Sequence, residues 1–128
     1  MCFSDDQGLN WTEPERVQSW SVSPFPLLLG DGRLVIIYMR RNPDPTGLYC
    51  IISEDEGVSW SPPQVLRDDT LAAGPRGIVD GGYPVAVPLS DVGIPDARIL
   101  TAYYWQHDDL NVPWYGGRKY IAGTVFRI

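Results

Sequence analysis

A set of side chains in this 128-residue chain could bind or transform a small molecule. Adjacent arginines, as at positions 40 and 41, can hold a carboxylate or phosphate, because guanidinium groups donate forked hydrogen bonds to anions. A histidine beside an aspartate could act as an oriented general base, although a lone histidine in a polar loop is more often simply exposed. Aromatic rings could stack on a sugar or pack inside the fold. The candidates are Arg40, Arg41, Arg76, Asp80, Tyr83, Trp105, His107, Asp108, Trp114 and Tyr115.

Composition and charge disfavour several other functions. A net charge of −6 disfavours general attraction to nucleic acid. Two cysteines, Cys2 and Cys50, and one histidine are too few for a typical zinc site, and we expect both thiols to be reduced. No P-loop, dinucleotide or nucleophile-elbow pattern occurs. The sequence predicts no cofactor and no metal, and its partner is expected to be a small molecule or a protein.

No apolar run is long enough to span a bilayer, so no membrane partner is expected. The first residues also lack the basic start and apolar stretch of a signal peptide. These features predict a cytoplasmic location for the chain as given. The location stays open if the chain belongs to a longer secreted parent.

One motif occurs twice, at residues 4–11 and 53–60, and both copies fit S-x-D-x-G-x-x-W. Serine and aspartate can accept hydrogen bonds from nearby amides, glycine allows a positive φ, and tryptophan can pack over the turn. Calcium is disfavoured because neither copy has the glycine and glutamate positions of a calcium loop. We call these the first and second motif turns. Their predicted structural residues are Ser4, Asp6, Gly8, Trp11, Ser53, Asp55, Gly57 and Trp60.

A second correspondence extends this repeat to the strands. It aligns Phe25-Pro26 with Tyr83-Pro84, an offset of 58, with the extra residues confined to the turn at 91–96. Apolar and β-branched runs between turn residues predict strands at 24–29, 34–40, 48–53, 64–67, 83–89, 98–105 and 119–127. Residues 1–3 and those after Trp11 fit the third and fourth strands of a preceding unit. The predicted class is all-β, with antiparallel four-stranded units.

The strand patterns also indicate how the units pack. The run at 34–37 is apolar on both faces, so both faces of its sheet should be covered. Pro26, Pro84 and Pro88 place the first strand of each unit at a sheet edge. Such sheets are typical of β-propeller blades; a two-sheet sandwich is the competing architecture, and the fixed hairpin motif favours the propeller. We expect one domain over 1–128 with about two blades, approximately 12–60 and 61–128.

Strand direction separates two ends of the predicted sheets. Connections at 41–47, 68–82 and 106–118, and roughly at 18–23, emerge at one end, which we call the loop end. The motif turns emerge at the opposite end, which we call the motif end. Since the candidate binding residues cluster at the loop end, the acids of the motif turns are predicted to be structural.

The repeated motif resembles the Asp-box, or bacterial neuraminidase repeat, of sialidases and sialidase-like six-bladed propellers. Residues 82–105 and 120–127 are similar to the final blade of bacterial sialidase-family proteins, and the resemblance covers the C-terminal third of a full propeller. It implies a nucleophilic tyrosine near the start of the last inner strand, a position that Tyr83 matches. It also implies arginines that grip the substrate carboxylate, for which Arg76 or Arg40 could stand.

The chain departs from the sialidase pattern at several positions, and these departures disfavour catalysis. Pro84 follows Tyr83 where the family has a small polar residue, and the F/Y-R-I-P motif, the early aspartate and the blades carrying the assisting glutamate are absent. We therefore expect a noncatalytic or vestigial propeller fragment that binds a glycan or small anionic ligand at the loop end. One alternative is an exo-sialidase-type glycoside hydrolase whose site is assembled from several chains or a longer parent. The other is a structural or protein-interaction propeller.

Two blades alone would leave sheet faces and strand edges exposed. Self-association would cover them, and three copies of two blades would make a ring of six. In that trimer the strand after Trp11 would pair with residues 119–127 of a neighbouring copy. The alternative is that the chain is a piece of a longer protein.

Overall fold

The computed structural model describes residues 1–18, 21–41, 45–69, 81–89, 98–106 and 118–128. The first sheet has the strand order β1 (Val22–Leu28), β2 (Leu34–Arg40), β3 (Gly47–Ser53) and β4 (Gln64–Arg67). The second sheet has the order β5 (Gly82–Pro88), β6 (Arg98–Gln106) and β7 (Lys119–Arg127). All neighbouring strands are antiparallel, which confirms the all-β prediction. Within the described ranges the second sheet has three strands, which match the strands predicted at 83–89, 98–105 and 119–127.

Residues 1–18 form a hairpin that repeats the pairing of β3 with β4. The amide of Thr12 donates to the carbonyl of Phe3 at 2.8 Å, as the amide of Ser61 donates to that of Ile52 at 2.8 Å. The second motif turn therefore joins β3 to β4, and the first motif turn joins the hydrogen-bonded segments 1–3 and 12–15 in the same way. The sheets run over 22–67 and 82–127.

Both proline-bearing strands, β1 and β5, lie at a sheet edge, as predicted. Each edge strand carries one extra residue opposite its partner. In β1 the bulge lies between Val22, opposite Met39, and Phe25, opposite Ile37. In β5 it lies between Gly82, opposite Tyr104, and Val85, opposite Ala102. Both irregularities are β-bulges, which bend a strand and redirect a side chain.

The two bulges correct the alignment of the repeat. Because Val22 corresponds to Gly82 and Phe25 to Val85, Ser23-Pro24 is the structural equivalent of Tyr83-Pro84. The expected match of Phe25-Pro26 to Tyr83-Pro84 is therefore wrong by two residues. The sequence comparison followed the shared pattern of an aromatic residue before proline. A shift by two residues keeps every side chain on the same face, so alternation could not reveal the error.

The sheets pack face to face, with β1 against β5 and β4 against β7. The front face of the first sheet presents alternate residues of β1 and β2 to the second sheet, among them Phe25, Leu27, Val35 and Ile37. They meet Ile99, Tyr103 and Trp105 from β6, and all three are buried. Removal of this apolar surface from water is what holds the sheets together.

The back face of the first sheet is also covered. Tyr38, Tyr49 and Ile51 are buried there and pack against Val17 and Trp60. The prediction that both faces of this sheet are covered is therefore confirmed. On the second sheet the equivalent of the front face is exposed, and it carries Val85, Val87, Ile121 and Val125. Within the described ranges, no helix has the length and hydropathy needed to cross a membrane.

Candidate functional site

The two motif turns share one hydrogen-bond network. The hydroxyl of Ser4 accepts from the amide of Gly8 at 2.7 Å and donates to Asp6 at 2.9 Å. The hydroxyl of Ser53 makes the same two bonds, each 2.8 Å long, with Gly57 and Asp55. The indole N–H groups close the turns: Trp11 donates to the carbonyl of Gly8 at 3.0 Å and Trp60 to that of Gly57 at 3.1 Å. Every named side chain of the motif is thus engaged within its own turn.

The aspartates of these turns are held as carboxylates. The amide of Asn10 donates to Asp6 at 2.8 Å, and this bond is the main reason that the pKa of Asp6 is lowered to about 2. The hydroxyl and amide of Ser59 likewise lower the pKa of Asp55. Because hydrogen bonds to the ionised form favour ionisation, neither acid is suited to donate a proton near neutral pH.

The strand ends place the described candidates at the loop end, away from both motif turns. Arg40 ends β2 and Arg41 follows it, Tyr83 is the second residue of β5, and Trp105 lies near the end of β6. The other candidates lie outside the described residues; they are Arg76, Asp80, His107, Asp108, Trp114 and Tyr115.

Tyr83 has an unusual backbone. Its φ is 48°, in the left-handed region that side chains other than glycine seldom adopt. It also precedes Pro84, and a following proline disfavours helical conformations. The side chain is 67% exposed, and its ring stacks on Tyr104 with centroids 5.8 Å apart and planes 27° apart. The bulge therefore holds an aromatic ring in solvent at the start of the strand.

Arg41 connects the end of β2 to this pair of rings. Its Nε donates to the carbonyl of Gly81 at 2.9 Å, and its Nη2 donates to the hydroxyl of Tyr104 at 2.6 Å. The guanidinium carbon lies 6.0 Å from the centre of the Tyr104 ring, and the Lys119 ammonium lies 5.8 Å from it. We call Tyr83, Tyr104, Arg41 and Lys119 the Tyr83 cluster.

Gly82 allows Arg41 to come this close. A β-carbon at Gly82 would lie 3.2 Å from the β-carbon of Met39 and 3.5 Å from Nη2 of Arg41. The φ of Gly82 is 135°, a further reason for glycine at this position. The glycine before Tyr83 therefore lets the bulge pass directly over the end of β2.

Two members of the Tyr83 cluster were missed by the sequence reasoning. Tyr104 lies between Tyr103 and Trp105, and alternation puts it on the opposite face of β6 from those two buried residues. Lys119 is the first residue of β7. A signal was present, since polar and aromatic residues at strand ends of the loop end are natural candidates. The sequence did not reveal which strand ends lie side by side.

Trp105 lies in the core between the sheets. It is 3% exposed, and its ring lies 4.5 Å from the guanidinium carbon of Arg67 at the end of β4. Arg67 also donates to the hydroxyl of Tyr120 at 2.9 Å and pairs with Asp69, which raises the pKa of Arg67. The indole of Trp105 therefore contacts Arg67 inside the core and is not exposed to solvent.

Arg40 and Arg41 contact different parts of the molecule. Arg41 reaches the second sheet, whereas the charge of Arg40 acts on Tyr38 and Tyr49, which lie on the back face of the first sheet. The Nε of Arg40 is buried and has no hydrogen-bond partner among the described residues. The two guanidinium groups therefore extend from opposite faces of the first sheet.

The two cysteines carry no disulfide. Cys50 is buried in β3, and burial raises its pKa to about 12, so this thiol is unreactive near neutral pH. Among the described residues, no group of three or more histidine, cysteine or acidic side chains could hold a metal ion.

No family model and no curated protein matches this chain. The chain is similar to a solved structure from Dyadobacter fermentans DSM 18053, described as a protein of unknown function, with 30% sequence identity and a TM-score of 0.68. The match covers 99% of this chain and 30% of that chain. This chain therefore spans less than a third of the length of that protein.

Proposed function

We propose that this chain is part of a sialidase-like β-propeller that binds a glycan or another small anionic ligand at the loop end, without sialidase turnover. The observation that carries this proposal is the Tyr83 cluster. A strained, exposed tyrosine lies on a second tyrosine, and Arg41 and Lys119 lie within about 6 Å of that second ring. Exposed rings stack on sugar faces, and nearby cations attract a carboxylate.

Backbone strain at Tyr83 adds to this argument. A left-handed conformation costs a non-glycine residue about 1–2 kcal/mol, and such strain concentrates at binding sites and active sites. The ring of Tyr83 is also one of the most exposed aromatic rings among the described residues. A purely structural tyrosine would gain more by burial.

Binding is proposed rather than hydrolysis because of what surrounds the Tyr83 hydroxyl. A tyrosine nucleophile of the sialidase kind acts with a carboxylate. Among the described residues, no hydrogen bond joins this hydroxyl to a carboxylate. No described contact of this hydroxyl therefore supplies the assisting acid that the resemblance implies.

The propeller architecture is proposed from the order of the sheets and from their repeated faces. Both bulged strands lie side by side, and the fourth strand of one sheet packs against the last strand of the other, as in neighbouring blades. The front face of the first sheet is covered by the second sheet. The equivalent face of the second sheet is exposed and apolar.

We propose that another copy of this chain covers that exposed face, by the same packing that joins the two sheets. Three copies would then complete a ring. Light scattering at rising protein concentration tests this arrangement. A trimer that Val125→Lys dissociates is the expected result, and a monomer at all concentrations would exclude self-association and favour a longer parent chain.

Binding is tested with an array of acidic and neutral glycans, followed by titration of the strongest ligand. Tyr83→Ala should weaken binding at least tenfold, because the exposed stacking surface is lost. Trp11→Ala is the matched control: Trp11 is 63% exposed, close to the value for Tyr83, but it lies at the motif end. Its removal should leave the affinity unchanged.

The alternatives predict different outcomes. Turnover of a fluorogenic sialoside would indicate a hydrolase, and full activity in Tyr83→Phe would then exclude Tyr83 as the nucleophile. An array without any ligand would overturn the binding proposal and favour a structural or protein-interaction propeller.

A further inference from the structure

We infer that Ser23 is a second ligand contact at the loop end and sets part of the specificity of the site. The inference rests on the proposed binding function. It follows from the equivalence of Ser23 in β1 with Tyr83 in β5, which the pairing registers establish.

The backbones at these two positions are alike. Ser23 has a φ of 50° and Tyr83 has a φ of 48°, and each residue precedes a proline inside a one-residue bulge. Two unrelated side chains thus have the same unfavourable conformation at the same place in the repeat. Packing explains neither case, since Tyr83 is exposed and Ser23 is half-buried.

Glycine would relieve the strain at either position, because it adopts positive φ without cost from a β-carbon. The chain has glycine at the left-handed position Gly82 directly before Tyr83, yet it carries side chains at both strained positions. A side chain that is kept at a cost to stability is best explained by what that side chain contacts.

The two edge strands bring these positions to the same end of the molecule. β1 packs against β5, and both bulges lie at the loop-end start of their strands. Within the described part of the chain, the hydroxyl of Ser23 makes no hydrogen bond. It can therefore donate to or accept from a polar ligand group, while Tyr83 supplies a stacking surface.

The chemistry of the pair indicates the ligand class. A ring beside a cation suits the apolar face and the carboxylate of an acidic sugar, and a small hydroxyl suits a sugar hydroxyl or an N-acyl group. We therefore expect the ligand to be an acidic monosaccharide unit rather than a simple inorganic anion. Inorganic phosphate should compete only weakly.

The test uses two variants of Ser23 and measures both thermal stability and affinity for the strongest glycan of the array. Ser23→Ala removes only the hydroxyl, and it should weaken binding about five- to tenfold with little change in Tm. Ser23→Gly also relieves the strain, so it should raise Tm by about 3–6 °C while weakening binding to the same extent.

A matched control has the same backbone conformation at the motif end. Gln7 has a φ of 62°, and Gln7→Gly should raise Tm similarly without any change in affinity. If the wild-type chain binds a glycan and both Ser23 variants bind equally well, the inference about Ser23 is wrong and the proposed function stands. If the wild-type chain binds no glycan, both the proposed binding function and the inference about Ser23 are wrong.

Discussion

The two motif turns have the same hydrogen bonds but very different surroundings. In the second turn, Trp60 packs against the buried cluster of Tyr38, Tyr49 and Ile51, and Ser53 is 1% exposed. In the first turn, Trp11 is largely exposed and Ser4 is only half-buried. The motif therefore forms its turn from local bonds alone. What it contributes to stability depends on the sheet beneath it.

This difference separates two roles that the sequence motif combines. The serine and aspartate set the path of the backbone, and they do so identically in both copies. The tryptophan joins the turn to a neighbouring layer, and among the described residues only the second copy has that layer in place.

Truncation of the two tryptophans should give the largest contrast. Trp60→Ala is expected to lower the free energy of unfolding by about 2–3 kcal/mol, since burial against the back face of the first sheet is lost. Trp11→Ala should cost less than about 1 kcal/mol, because an exposed ring contributes little. Chemical denaturation of both variants measures the difference. Equal losses would mean that Trp11 is buried in solution, for example by another copy of the chain.

Removal of the serine hydroxyls should give a smaller contrast. Ser53→Ala leaves the amide of the buried Gly57 without its acceptor, which should cost about 2 kcal/mol. Ser4→Ala exposes the amide of Gly8 to water and should cost about 0.5–1 kcal/mol. Thermal unfolding distinguishes the two. A larger effect at Ser4 would contradict the view that burial sets the cost.

Acid should affect both turns in the same way, which is the smallest expected contrast. Each aspartate has a folded pKa below its ordinary value of 3.8, and that of Asp6 is about 2. Their stabilising effect is therefore present above about pH 4 and is lost as pH falls through the folded pKa. Asp6→Asn and Asp55→Asn should each flatten the fall in stability between about pH 4 and pH 2. If only one of the two variants altered the pH dependence of stability, the residues around each turn, and not only its own hydrogen bonds, would affect the pKa of its aspartate.

Much of the fold follows from sequence patterns that repeat. Alternation, prolines and turn residues located all seven described strands and the two edges, because each pattern reports a local requirement of a sheet. The bulges were not foreseen, because an extra residue changes the register without changing the alternation of the flanking strands. As a result the sequence comparison aligned Tyr83 of the second repeat with Phe25 of the first, whereas its structural equivalent is Ser23.

The sequence predicted that the candidate residues lie at the loop end, but it did not predict which of them lie side by side. The sequence placed Arg41 and Tyr83 at the loop end, as strand direction requires. It also placed Trp105 there as a ligand platform, whereas the ring faces inward onto Arg67. Tyr104 was overlooked in its place, although the two residues are adjacent. Which of two neighbouring aromatic residues faces the core depends on the packing of a second sheet.

The contacts of Arg67 bear on how the two sheets stay packed together at high ionic strength. Its guanidinium group lies against the rings of Tyr103, Trp105 and Tyr120, which come from the other sheet. Salt screens ion pairs between exposed charges far more than it weakens contacts of a cation with aromatic faces that exclude water. The two sheets should therefore keep their alignment at the loop end in concentrated salt, even where the bond of Arg67 to Asp69 is screened.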